Sequence, residues 1–227
     1  MAVQSASILK FYRELKPEFD MPEGVNIMNP FDDKVSWQIT RLFYEKFYSD
    51  TERRYLIFGI NPGRFGGGIT GIPFTDPIRL ADICGIENTF QKKSELSSQY
   101  VYEVIKAYGG PGPFYKKFFI TALSPLGFTR AGLNMNYYDD KALLKSIEPF
   151  MVDCIRKQLK TLSGYTTCFC LGEGTNFKIF SKLNEKYGFF ESIIPLPHPR
   201  WIMQYRRKKM GDYVDVYVKA FNNLEIS

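Results

Sequence analysis

Four short apolar runs, each of the length of a β-strand, restrict the fold of this chain more than any other feature of its sequence. They are residues 55–60, 118–123, 167–171 and 192–196. Because the runs carry few polar side chains, each suits a strand that is covered on both faces. Segments with helical spacing of apolar residues lie between them. Buried strands that alternate with helices predict a parallel sheet with helices on both sides.

We therefore predict a three-layer αβα fold with a central, mostly parallel, four-stranded sheet. Helices are predicted at residues 8–15, 35–48, 95–108, 174–187 and 205–224. Pro149 suits the first turn of a helix over 150–162, so residues 141–147 are predicted to form a separate helical piece. Residues 1–34 are predicted to be an irregular leader with a short helix, and residues 35–227 a single α/β domain.

The composition excludes several classes of protein. Among the 227 residues there is one histidine, which rules out a metal site built from two or three imidazoles. No apolar stretch approaches the ~20 residues that span a bilayer, and the first residues do not resemble a signal peptide. No C-x-x-C pair occurs, so we expect buried, reduced cysteines in a cytoplasmic protein that needs no metal and no cofactor. The cysteines are Cys84, Cys154, Cys168 and Cys170.

Ligands of parallel α/β sheets bind beyond the carboxyl ends of the strands, so the segments after the four runs are candidate sites. The first run continues into a glycine-rich segment that starts at Asn61, and the fourth continues into PHPRW, which contains His198. The glycine-rich segment has no phosphate-loop pattern. Its glycines 66–68 precede ITGIP, a poor start for a helix, so a dinucleotide site is weakly supported.

Three side chains on this predicted edge can carry chemistry. Asn61 can orient a water molecule, Phe74 can stack on a planar base, and His198 is held stiffly between two prolines. The alternatives are a turn-forming asparagine, a core ring and a structural histidine. Residues 198–219 carry six Lys or Arg and two Asp, a local charge of +4 within a chain of +6. An amide, an imidazole and a ring beside a basic surface indicate chemistry on a base that is flipped out of nucleic acid.

GINPG at residues 59–63, GIPF at 71–74 and PHPR at 197–200 resemble motifs of the uracil-DNA glycosylase superfamily. The resemblance covers residues 50–210 and is closest to a bacterial branch of the single-strand-selective monofunctional (SMUG-like) type. It implies a monofunctional DNA glycosylase, expected to be a monomer, which flips out and hydrolytically removes a deaminated base in base excision repair. Uracil is the first candidate base.

The resemblance also implies roles for individual residues. Asn61 would hold the attacking water and His198 would hydrogen-bond the leaving base. Phe74 would stack on the base, and Gly63 would leave space beside its 5-position. The implied base-binding residues are Ile60, Gly63, Phe74, Asn134 and Asn136. The implied DNA-binding residues are Ser124, Thr175, Asn176, Arg200, Trp201, Arg206, Arg207 and Lys208. Of these, Arg200 and Trp201 are expected in a loop that probes the duplex, and Thr175 and Asn176 at a helix N-terminus that binds a phosphate.

One position departs from the family pattern. Where the family carries an asparagine that reads the edge of uracil, this chain has Ala122. Asn134 and Asn136 are possible substitutes or plain turn residues. Because of Ala122, xanthine and hypoxanthine stay open as substrates beside uracil. Two further alternatives are a catalytically silent relative that binds nucleic acid, and an enzyme that acts on free nucleotides.

Overall fold

The computed structural model describes residues 3–162 and 164–226, which contain seven β-strands and ten α-helices. The strands are β1 (Val25–Met28), β2 (Tyr55–Gly59), β3 (Phe118–Ala122), β4 (Gly127–Arg130), β5 (Leu133–Met135), β6 (Thr167–Leu171) and β7 (Ser192–Leu196). The helices are α1 (Gln4–Arg13), α2 (Lys34–Phe47), α3 (Gly67–Thr70), α4 (Pro77–Asp82), α5 (Leu96–Ala107), α6 (Pro111–Lys117), α7 (Lys141–Leu162), α8 (Thr175–Tyr187), α9 (Pro199–Tyr205) and α10 (Met210–Asn222).

The four predicted strands form one parallel sheet, in the order β3-β2-β6-β7. The predicted fold class is therefore confirmed. Gly59 pairs with Ala122 at the end of β2 and β3, and Leu171 pairs with Leu196 at the end of β6 and β7. This register brings the segments that follow the strands to the same edge of the sheet.

A second, antiparallel sheet of three strands, in the order β1-β4-β5, was not predicted. Its strands have three or four residues and lack a sustained alternation of apolar and polar side chains, which is why the sequence did not reveal them. β4 and β5 are joined by Ala131 and Gly132, whose φ angles are 49° and 74°. Two successive positive φ angles are the requirement of a two-residue type I′ hairpin turn.

Helix α7 runs unbroken through Pro149, so the prediction of two separate pieces was wrong. A proline inside a helix costs about 3 kcal/mol because it removes a hydrogen bond and crowds the preceding turn. Here the apolar face continues across the proline, with Ile147 buried before it and Met151 and Ile155 buried after it. Burial of one continuous face offsets the cost.

The predicted helix over residues 205–224 was also misplaced. The helix after His198 begins at Pro199 and ends at Tyr205, residues Arg207–Lys209 form a 3₁₀ turn, and α10 follows from Met210. Proline is favoured at the first helical position because its missing N–H has no partner there in any case. The PHPR motif is thus a helix start and not an extended loop.

Residues 3–34 contribute more to the packing than an irregular leader would. The buried face of α1 contacts both α2 and α7. The Tyr12 ring stacks on Phe31 with centroids 4.3 Å apart, and β1 pairs with β4 in the second sheet. How the chain divides into folding units stays a prediction.

Much of the core consists of packed aromatic rings, and the four cysteines are buried and unpaired within it. Burial raises the pKa of Cys84 to about 11, so this thiol is protonated at neutral pH. In the part of the chain that the structure describes, no helix is long and apolar enough to cross a membrane.

Arg54 anchors the start of the central strand β2, and its side chain is 1% exposed. Its guanidinium donates to the Tyr115 carbonyl at 3.1 Å and to Asp50 Oδ2 at 2.8 Å, and also to the Glu52 carbonyl. We expect Arg54→Met to lower the free energy of unfolding by about 2–4 kcal/mol, because the buried Tyr115 carbonyl loses its donor and Asp50 loses its charged partner. Urea denaturation measures this change.

The matched control is Arg41→Met on α2, where an exposed arginine pairs with Glu45 at 3.7 Å. An exposed pair of this kind contributes about 0.5 kcal/mol or less. Equal losses of stability in the two variants would contradict the anchoring role of Arg54.

Candidate active site

A cleft of about 90 Å³ lies at the carboxyl edge of the parallel sheet. It brings together Asn61, Phe74 and His198, the three side chains predicted to carry chemistry. Its other walls come from β5 and the segment after it, and from the residues at the start of α5 and α9. Further residues that line it are Ile60, Gly63, Glu95, Ala122, Asn134, Asn136 and Arg200.

The side-chain amide of Asn61 is held at both ends. Its Nδ2 donates to the Met135 carbonyl at 3.2 Å, and its Oδ1 accepts the Tyr137 N–H at 3.0 Å. These two bonds fix which end of the amide is oxygen and leave a second lone pair on Oδ1. The amide can therefore hold a water molecule in one position.

Phe74 occupies a strained backbone conformation, with φ at 54° in the left-handed region. Such a conformation is costly for a bulky residue and persists only where the surroundings impose it. The ring lies directly over the end of β2, because a Cβ added to Gly59 would come within 2.7 Å of Phe74 Cε2. Its centroid is 6.3 Å from that of the His198 imidazole. Gly59 thus makes room for a ring held at the edge of the cleft.

His198 caps the N-terminus of α9, where its Nδ1 accepts the Arg200 N–H at 3.1 Å. An Nδ1 that accepts a hydrogen bond carries no proton, so the hydrogen-bond network assigns the proton of the neutral ring to Nε2. Burial, with a smaller effect from Arg200, lowers the pKa of His198 to about 4. At neutral pH the imidazole is therefore an uncharged donor through Nε2.

Glu95 also lines the cleft and was not predicted. Its backbone N–H donates to Asp76 Oδ2 at 2.9 Å, and its carboxyl lies against the glycine-rich segment. A Cβ added to Gly66 would overlap Oε2, and one added to Gly63 would lie 2.9 Å from Oε1. Burial, with a smaller effect from Asp76, raises the pKa of Glu95 to about 7, and Arg200 opposes the shift. Nothing in the sequence identified the side chain that lies against these glycines.

Asn134 and Asn136, the predicted substitutes for the absent asparagine, both line the cleft. Asn134 Oδ1 accepts the Arg64 N–H at 3.1 Å, so its Nδ2 is the end left free. That Nδ2 lies 3.5 Å from the position of a Cβ on Gly63. Asn136 is tied to Asp139 through its backbone N–H at 2.7 Å. Asn134 therefore offers a donor of fixed orientation next to Gly63 and Glu95.

Comparison with known proteins identifies the family. A sequence model described as the uracil DNA glycosylase superfamily matches residues 45–222. The chain belongs to the uracil-DNA glycosylase superfamily. The structure is also similar to the crystal structure of wild-type Pedobacter heparinus SMUG2, with a TM-score of 0.97 and 45% sequence identity over 100% of both chains. A comparison with curated protein sequences finds no significant match.

Ala122 stands at the position where the family pattern has an asparagine. It is 4% exposed at the end of β3 and presents no hydrogen-bonding group to the cleft. The polar side chains that line the same cleft are those of Asn61, Glu95, Ser97, Asn134, Asn136, His198 and Arg200.

A wider groove of about 610 Å³ adjoins the cleft in this superfamily member. Thr175, Arg200 and Trp201 line it, as does the ring of Tyr205. Arg200 and Trp201 lie in the first turn of α9 and not in a loop as expected, because Pro199 starts the helix there. The exposed side chains of Arg206, Arg207 and Lys208 follow directly after α9.

The side chains of two residues that were predicted to contact DNA face the interior of the protein. Ser124 is fully buried, and its Oγ donates to the Leu126 carbonyl at 2.8 Å within the same turn. Asn176 is 2% exposed; its Oδ1 accepts the Tyr137 hydroxyl at 2.8 Å and its Nδ2 donates to Cys170 Sγ. Both side chains complete hydrogen bonds inside the protein, so neither is available to a phosphate.

The state of His198 can be measured directly, since it is the one histidine of the chain. We expect its Cε1 proton resonance to titrate near pH 4, and near 6.5 in the unfolded protein. Because the folded pKa is the lower one, the stability that the neutral ring contributes is complete above pH 6.5. It is lost as the pH falls towards 4. Proton NMR across this range makes the measurement.

Arg200→Ala serves as the comparison, because it removes a charge that lowers the pKa but keeps the backbone N–H that bonds to Nδ1. The midpoint should move upward in this variant. A midpoint near 6.5 in the folded wild-type protein would contradict the buried, neutral imidazole.

Proposed function

We propose that this protein is a monofunctional DNA glycosylase that flips out a deaminated base and hydrolyses its N-glycosidic bond. Uracil is the first candidate substrate, and base excision repair is the process such a reaction serves. The observation that carries the proposal is the placement of Asn61, Phe74 and His198 around one cleft, with the amide and the imidazole both fixed by backbone hydrogen bonds.

Asn61 acts by placing the nucleophile. The free lone pair of Oδ1 accepts a hydrogen bond from a water molecule, whose oxygen then attacks the anomeric carbon of the sugar. The carbon–nitrogen bond breaks, its electron pair leaves with the base, and the proton lost by the water finally neutralises the released base. Because the amide is held at both ends, little reorganisation is needed before attack.

His198 acts on the leaving base. As the glycosidic bond breaks, negative charge develops on the base and is delocalised to its carbonyl oxygen. The Nε2–H of the neutral imidazole donates to that oxygen, and a donor aimed where charge develops stabilises the transition state. Phe74 offers its ring to the flat face of the base, which replaces part of the stacking lost on flipping.

Asn134 supplies a basis for choosing deaminated bases. Deamination replaces an amino group with a carbonyl oxygen, which changes a donor into an acceptor. The Nδ2 of Asn134 is a donor whose orientation the Arg64 N–H fixes, so it favours the carbonyl and opposes the amino group. Uracil and hypoxanthine carry this carbonyl in place of an amino group, and xanthine also carries a carbonyl next to a ring N–H.

Removal of either catalytic group should greatly slow base release. We expect Asn61→Ala and His198→Ala each to lower kcat for uracil release from a single-stranded oligonucleotide by about 10²–10³-fold, in the range that one missing oxyanion-type donor produces. Oligonucleotides with uracil, hypoxanthine or xanthine are incubated with the enzyme. Alkaline cleavage at the resulting abasic sites then measures base release.

Asn222→Ala, at an exposed asparagine that lines neither the cleft nor the groove, is the matched control and should keep full activity. Binding of the oligonucleotide without release of any base would support the catalytically silent alternative. A preference for free nucleosides over oligonucleotides would support the nucleotide-processing alternative.

The basic residues after α9 should bind the DNA backbone. We expect replacement of Arg206, Arg207 and Lys208 by Gln to weaken binding to a single-stranded oligonucleotide. The slope of log K against log salt concentration should fall by about 2, since each single-strand phosphate contact contributes about 0.7. Fluorescence anisotropy at several salt concentrations measures the slope.

The matched control replaces Lys10, Arg41 and Lys157 by Gln. These exposed residues lie on α1, α2 and α7 and line neither the cleft nor the groove. An equal change of slope in the two triple variants would show that net charge, and not this surface, governs binding.

A further inference from the structure

The carboxyl group of Glu95 is the polar group of the cleft that the proposed function leaves unused. Its backbone N–H bonds to Asp76, but neither carboxyl oxygen takes part in a hydrogen bond with any residue of the described ranges. The carboxyl nevertheless lies inside the cleft, against Gly63 and Gly66. A carboxyl that lines the cleft and has no donor among the described residues is available to a partner that enters from outside.

The described residues around Glu95 hold its backbone in place but donate no hydrogen bond to its carboxyl group. Asp76, fully buried, caps α4 through the N–H groups of Ile78 and Arg79, and its other oxygen accepts the Glu95 N–H. This fixes the backbone from which the carboxyl projects. On the opposite side the two glycines carry no side chain that could fill the space. The result is a carboxyl that projects from a fixed backbone, lies against the two glycines and lines the cleft.

We propose that Glu95, as the neutral acid, reads the hydrogen-bonding edge of the flipped base and takes the place of the asparagine that is absent at Ala122. This inference rests on the proposed glycosylase function. A neutral carboxyl presents one acceptor and one donor side by side. The edge shared by uracil, hypoxanthine and xanthine is a ring N–H next to a carbonyl, so it presents the complementary donor and acceptor.

The ionised carboxyl fits the same edge poorly. Without its proton it has acceptors only, and one of them would face the carbonyl oxygen of the base. The charged groups near Glu95 divide in their effect: Asp76 favours the neutral acid, whereas Arg200 favours the carboxylate. His198 is neutral above pH 4, and Arg64 lines the adjoining pocket with Glu95. Because the pKa of Glu95 is about 7 in the open cleft, a large part of this carboxyl is protonated at neutral pH. A base that enters the cleft excludes water and favours the protonated carboxyl further.

A pair of substitutions separates this role from a structural one. Glu95→Gln keeps one donor and one acceptor but cannot ionise, so uracil release should stay within a few-fold of wild type at pH 7. Glu95→Ala removes both hydrogen bonds and should lower kcat/KM by about 10–100-fold, chiefly through KM. Circular dichroism melts show whether each variant is folded.

The pH profile is the decisive readout. For the wild type, kcat/KM for uracil release should fall about tenfold per pH unit above pH 7, as the carboxyl loses its proton. Glu95→Gln should lose this alkaline limb and stay level to pH 8.5. The control is Glu103→Gln. Glu103 is an exposed glutamate on α5, the helix that begins directly after Glu95, and its variant should keep the wild-type profile.

The outcomes separate the two proposals. If the wild type releases no base from any oligonucleotide, the proposed glycosylase function is wrong, and the proposed role of Glu95 is wrong as well. If the wild type releases uracil but Glu95→Ala does so equally well, the role of Glu95 alone is overturned. The same holds if Glu95→Gln loses activity or keeps the alkaline limb. These last results remain informative even if Glu95→Ala fails to fold.

Discussion

The hydrogen bonds between the Asn61 amide and the segment after β5 join the two sheets of the protein. Asn61 extends from β2 of the parallel sheet, whereas Met135 and Tyr137 belong to the end of the antiparallel sheet and the turn beyond it. The cleft exists because these two structures meet there, so Asn134 on β5 faces the glycine-rich segment after β2. The small sheet thereby supplies one wall of the cleft and also the orientation of its central amide.

Most of the parallel sheet could be predicted, because a strand covered on both faces needs a continuous apolar run, and each of the four runs became a strand. The rule that ligands bind at the carboxyl ends of parallel strands then located Asn61 and His198. Phe74 was also singled out from the sequence as a ring that follows the first run, and the family resemblance supported it, although no sequence pattern indicated its positive φ angle. The short strands of the second sheet were not predicted, because a strand of three or four residues is too short to show a detectable alternation of apolar and polar side chains.

Side-chain partners could not be predicted where they depend on three-dimensional neighbours. Ser124 and Asn176 are polar residues after strand ends, as Asn61 is, yet both turn inward because a carbonyl, a hydroxyl or a thiol lies within reach. Glu95 shows the opposite case. It sits before a helix and resembles any surface glutamate in sequence, and it becomes part of the cleft because Asp76 holds its backbone and Gly66 admits its carboxyl.

The electrostatics of the cleft follow from one physical cause. Desolvation lowers the pKa of His198 and raises that of Glu95, so the same burial drives an imidazole and a carboxyl towards their uncharged forms. In the proposed reaction the base departs as an anion, and a cleft with few fixed charges lets that developing charge determine the local electric field. Neutral donors then gain most of their interaction energy as charge develops, which lowers the barrier more than it stabilises the bound substrate. The exposed Arg200 guanidinium lines both the cleft and the groove and adds a positive charge where the cost of desolvation is small.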